Sequence, residues 1–134
     1  MDGQGFARIV KEAFLPFLEA LDFRMDAPSI SGRFYRISFS DPDHVVSISY
    51  EPGDNAIFII LFSKENGILS DFDDSSKTHR LADLNRLYMH AISRDERVKN
   101  DAAFSSIHVT DKEEALLLKS AKELSLVLPK YLNK

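Results

Sequence analysis

The stretch from Arg33 to Phe62 does most to limit what this chain can fold into, because there the apolar residues recur with a period of two. Tyr35, Ile37 and Phe39 fall on one side of an extended segment, and Arg36 and Ser38 on the other. After the turn-forming run Ser40-Asp41-Pro42-Asp43, Val46, Ile48 and Tyr50 alternate with Ser47 and Ser49 in the same manner. Two half-buried strands joined so closely must run antiparallel, since a parallel pair needs a long crossover. Glu51-Pro52-Gly53-Asp54-Asn55 makes the next turn. The run Ala56 to Phe62 is apolar on both sides, so this third strand is expected centrally or with its second face covered. Asn66-Gly67 is a hairpin signal that puts a short fourth strand at Ile68 to Phe72.

Helical spacing flanks this meander. Phe6, Val10, Ala13, Phe14, Phe17 and Leu21 share one face of an N-terminal helix, in which Pro16 must force a kink or a restart because it lacks an amide and crowds the carbonyl of Glu12. Asp22 to Gly32 has no periodicity and reads as a loop. From Thr78 to Ile92, Leu81, Leu84, Tyr88 and Ile92 lie in one arc, with His79, Asp83, Arg86 and His90 opposite. Ser93 with Glu96 and Thr110 with Glu113 have capping-box spacing. The second opens a helix whose Leu117, Ala121, Leu124 and Leu128 form a seam ended by Pro129, with Lys112, Lys119, Lys122 and Lys130 on the other side. Phe104 to Val109 has the composition of one more strand. The expectation is one α+β domain over residues 1–134, an antiparallel sheet of three to five strands with the N-terminal helix and the C-terminal helices on one face.

Composition removes several classes of function. No cysteine is present, so disulfides, thiolate zinc sites and cysteine nucleophiles are excluded. Acidic residues outnumber basic ones, 21 to 17, which argues against a nucleic-acid backbone as partner. No segment reaches the about 18 apolar residues of a membrane span, and the start lacks a signal-peptide pattern, so the chain is expected to stay in the cytoplasm and off membranes. No cofactor fingerprint and no metal-ligand spacing occurs, so neither a cofactor nor a metal is expected.

Ile68-Leu69-Ser70-Asp71-Phe72-Asp73-Asp74-Ser75 is the one motif that invites chemistry. An apolar strand ending in Asp-x-Asp superficially resembles the nucleophile motif of haloacid-dehalogenase-type phosphatases. That family puts this strand first in a parallel sheet, however, and here it follows a meander. The simpler readings are a helix-capping acidic loop, or an acidic patch that steers a basic partner. His79 and Asp83, one turn apart on a polar helix face, could form an acid–base pair but equally decorate a solvated helix. His79 and His90 stand too far apart along a helix, on the order of 16 Å, to share an ion. The residues assigned to partner contact are Asp71, Asp73, Asp74, His79, Asp83 and Arg86.

The layout of helix Phe17-Leu18-Glu19-Ala20-Leu21, strands Arg33–Phe39, Val45–Tyr50 and Ala56–Phe62, and Leu81-Ala82-Asp83-Leu84 on a helix resembles the immunity proteins of bacterial toxin systems. That resemblance implies a non-enzymatic role: an antitoxin-like inhibitor that blocks a basic toxin domain by direct binding, as a monomer or homodimer. The opening is also similar to type III secretion chaperones, which dimerise and hold an effector in extended form. Leu126, on the lysine side of the last helix, and the apolar third strand would suit that client groove. A small metal-dependent enzyme is the third reading, and it would need the aspartates or the His79-Asp83 pair to converge with further groups.

Overall fold

The computed structural model describes residues 1–69 and 77–133. An antiparallel sheet carries all its helices on one side, which is the α+β arrangement expected. The helices are α1 (Gly3–Ile9), α2 (Leu15–Ala20), α3 (Leu81–Tyr88), α4 (Arg94–Ala103) and α5 (Lys112–Leu132). Strands β1 (Arg24–Met25), β2 (Ser29–Ile30), β3 (Tyr35–Ser40), β4 (His44–Glu51), β5 (Ala56–Glu65), β6 (Ile68–Leu69) and β7 (Thr78–Arg80) form the sheet. Its path runs β1-β3-β4-β5-β6, with β2 also on β3 and β7 also on β5.

The register explains the period-two pattern. Tyr35, Tyr50 and Ile57 stand in one row across β3, β4 and β5, Ile37, Ile48 and Ile59 in the next, and Phe39, Val46 and Leu61 in a third. All but Ile57 are buried, and they form one core with Phe6, Phe14 and Leu18 from the N-terminal helices, Leu84 from α3, and Leu117, Leu124 and Leu128 from α5. Asn66 and Gly67, with φ of 53° and 78°, make the hairpin between β5 and β6 that Asn-Gly predicts.

Pro16 marks a helix restart, one of the two outcomes expected there, while several other local expectations are corrected. Val10–Phe14 widens into a π-helix, the Leu15 amide reaching back to the Val10 carbonyl, and α2 then starts with Pro16 in its first turn, where no amide is needed. Asp22, at φ 70°, ends that helix in the left-handed region. The segment read as a loop holds β1 and β2, each only two residues long, so seven strands are seen among the described residues where three to five were expected. Thr78 to Arg80 is strand, and the helix begins at Leu81. Phe104 to Val109 is turn and irregular chain. Ser93 and Glu96 do form the reciprocal cap. At the last helix the cap is shifted by one residue: the Glu114 amide donates to Asp111, and Thr110 donates to the Glu114 carboxylate instead. Pro129 does not stop α5, which runs three residues further until Asn133, at φ 59°, terminates it. The expected fourth strand is seen as Ile68–Leu69, and its remainder lies outside the described residues.

Candidate functional site

Asp71, Asp73 and Asp74 lie outside the described residues. The chain re-enters as β7 and turns directly into α3. Asp83, in the first turn of α3, accepts a hydrogen bond from the Arg80 amide at 3.0 Å and lies 3.1 Å from the Arg86 guanidinium. Arg80 has no side-chain acceptor to return, so only half of a capping box exists. The Arg80 amide, then Arg86, hold the Asp83 carboxyl below its ordinary value of 3.8. Asp83 and Arg86 thus share one surface, as expected.

His79 does not join them as a helical neighbour, because it sits in β7, paired with Leu61 and turned toward the core side. There its ring meets Tyr131 of α5 edge-on at 5.4 Å. His44, at the start of β4, meets the same ring at 6.0 Å, and Tyr88 does so at 6.4 Å. The His44 Nδ1 is 3.2 Å from Asp41 Oδ1. This aromatic cluster clamps the end of α5 to the sheet. Among the described residues, no three His, Cys, Asp or Glu side chains are grouped closely enough to hold a metal ion. No described helix is long and apolar enough to cross a membrane.

The feature that the sequence motifs did not single out is the other face of the sheet. In β5, Phe58, Ile60 and Phe62 point away from the core rows, beside Ser49, Ser47 and Val45 of β4. None of the three is packed against the helical core, and all three are partly buried. Leu69, paired with Lys64 and 53% exposed, extends this apolar surface toward the aspartate segment. Val45, Phe62 and Leu69 line a shallow depression of about 400 Å³ with Arg36, Ser38 and Ser47 at its margin. The signal was present in the sequence, where this strand is apolar on both sides; it takes the central place expected, between β4 and the pair β6 and β7.

Beside this face runs a groove of about 260 Å³ along the outer edge of β5, lined by Ile57 to Ile60, by Arg80, Leu81 and Ala82 where β7 becomes α3, and by Ser120 of α5. Asp83 stands one residue beyond its rim. Comparison with protein families, with curated proteins and with solved structures gives no match.

Proposed function

We propose that the protein is an immunity-type inhibitor, which neutralises a basic toxin domain by seating it on the open face of the sheet. The observation that carries this reading is the apolar strip of partly buried Phe58, Ile60 and Phe62 with exposed Leu69 at its end, bordered by Ser38, Ser47 and Arg36. An apolar centre with a polar rim is the anatomy of a protein-binding patch, and a patch of this kind is seldom left without a partner. Charge supplies the partner's chemistry. The chain carries a net charge of −4, and Asp71, Asp73 and Asp74 follow within five residues of Leu69 in the sequence, with Asp83 and Arg86 beyond β7. A basic surface would be steered to that end of the patch.

The test is recovery of the tagged protein from its native cells, identification of any stoichiometric partner, and assay of that partner's toxicity with and without this chain. Leu69→Asp should weaken the complex about 30-fold, the cost typical of a central interface residue. Replacing Asp71, Asp73 and Asp74 together with Asn should lower the association rate and its salt dependence while thermal unfolding stays nearly unchanged. If stability collapses and binding follows it, the aspartates are a structural cap. An effector held in extended form by an intact dimer would replace the inhibitor reading with the chaperone one. Turnover lost in Asp73→Ala, with no partner affected, would replace it with an enzyme.

A further inference from the structure

We propose that the groove beside β5 takes an extended segment of the partner, added to the sheet as a strand along Ala56–Ile59. This rests on the reading of the chain as a protein binder and names how the partner is held.

Two hydrogen bonds fix the backbone directions in β5. The Lys64 amide donates to the Asp43 carbonyl, on the β4 side, and the Ser63 amide donates to the Lys77 carbonyl, on the β7 side. Since peptide groups alternate along an antiparallel strand, odd-numbered residues from Ile57 to Ser63 face away from β4. The register with β4 is continuous from Glu51↔Ala56 to His44↔Ser63, so no bulge interrupts this alternation. β7 answers the outward groups only from Ile60 to Phe62, and after Arg80 the chain leaves the edge and becomes α3. No described strand pairs with the outward edge of Ala56–Ile59, where Ile57 presents both its amide and its carbonyl and Ile59 its amide.

An open apolar edge is a template for strand addition, and folded proteins ordinarily blunt it with charge, proline or cover. Here Ala56, Ile57, Phe58 and Ile59 carry no charge and no proline. β7 already occupies the same edge one step along, so an added strand would continue an existing line of pairing. The groove of about 260 Å³ along this stretch is lined, besides the strand itself, by Arg80, Leu81, Ala82 and Ser120.

The occupant is a segment of another protein rather than a second copy. A four-residue edge is roughly 13 Å long and about 10 Å deep, far less than the about 1,200 Å² that a specific dimer buries. The segment that fits carries apolar side chains at alternate positions, to lie against Leu81 and Ala82, with uncharged backbone between them.

The probe is a set of random octapeptides displayed on phage and selected on the immobilised full chain, the strongest being synthesised. Amide hydrogen exchange is followed by NMR in the full chain, free and saturated with this peptide, and in any complex with the native partner. The expected result is exchange slowed at least tenfold at Ile57 and Ile59 on binding. Ile57→Pro, which removes an amide that serves no partner within the sheet, should weaken the peptide about tenfold, and Ile57→Val should bind as the wild type does. Should the proline variant fail to fold, the exchange comparison in the wild-type chain decides alone. Three results overturn the proposal: a selection that yields no binding peptide, a peptide or partner that binds while Ile57 and Ile59 exchange as before, or protection of both amides by concentrating the free chain, which would give the edge to a second copy. A partner bound without protection leaves the inhibitor reading standing. A strand-adding peptide with no toxin partner does the reverse.

Discussion

The contact between α1 and α5 offers a sharp test of how the helical layer is held. Glu114 is 4% exposed, while Arg8, which lies 2.6 Å from its Oε1, keeps about a third of its side chain in water at 36%. The same carboxylate accepts from the Thr110 amide at 3.1 Å and from the Thr110 hydroxyl at 3.0 Å. Both carboxylate oxygens are therefore used, and only one is used by the cation. Glu114→Gln retains the shape and one acceptor but loses the charge-assisted bond, worth about 1.5–3 kcal/mol for buried groups, so with Arg8 partly solvated the cost should be about 2 kcal/mol. Arg8→Met instead strands the buried carboxylate, which places the cost at the low end of the range for breaking a buried pair, about 3 kcal/mol. The cation's removal should thus cost more than the anion's, because the buried member is the anion. Urea unfolding with an unchanged slope measures both, and the midpoint temperature should fall by about 7 °C for Glu114→Gln. If both variants lie within 0.5 kcal/mol of the wild type, or if Glu114→Gln is the more damaging, the pair does not brace the layer in this way.

Two further outcomes follow from neighbouring geometry. A Cβ on Gly5 would stand 2.6 Å from Glu114 Oε2, so Gly5→Ala should destabilise the fold by about 1–3 kcal/mol in urea melts, despite the better helix propensity of alanine. Asp83 titrates below the ordinary 3.8 when folded, chiefly through the Arg80 amide, so it stabilises the fold at neutral pH and loses that contribution as pH falls through the acid range beneath 3.8. Asp83→Asn should accordingly be less stable than the wild type at pH 7, by a few tenths of a kcal/mol at this solvated site, with the gap closing in paired thermal melts as pH falls through the range beneath 3.8.

What could be read from the sequence depended on how many residues carried each signal. Strands β3, β4 and β5 are long enough to show alternation, and the same rows appear in the register. β1 and β2 have two residues each and β7 has three, too few for any period to emerge. β7 was further hidden because His79 and Arg80 precede Leu81, Leu84 and Tyr88 without a break in helical spacing. The π-helix escaped because residue types mark where Pro16 is awkward, and backbone geometry decides how the awkwardness is absorbed. Capping failed by one position at α5 because Thr110 and Asp111 are adjacent acceptors, each with a glutamate three residues on. In the candidate site, Asp83 and Arg86 do share a surface, while His79 belongs to the misread strand and packs against Tyr131 of α5 instead of standing beside them on a helix face. The second sheet face was implied by the composition of β5 together with helices expected on one side, but which residues line it depended on the strand register.

That one-sided layering has a consequence for how the chain comes to be folded. Every strand lies between Arg24 and Arg80, yet Leu117, Leu118, Ala121, Leu124, Val127 and Leu128 of the core belong to α5, and Tyr131 is clasped by His44 and His79 near its end. During synthesis the sheet can assemble and still have half its roof missing until Lys112–Leu132 has emerged. Through that interval the core face is covered only by the helices that precede α5. The nascent chain is then at its most aggregation-prone, and the sequence separation of these closing contacts sets a slow final step.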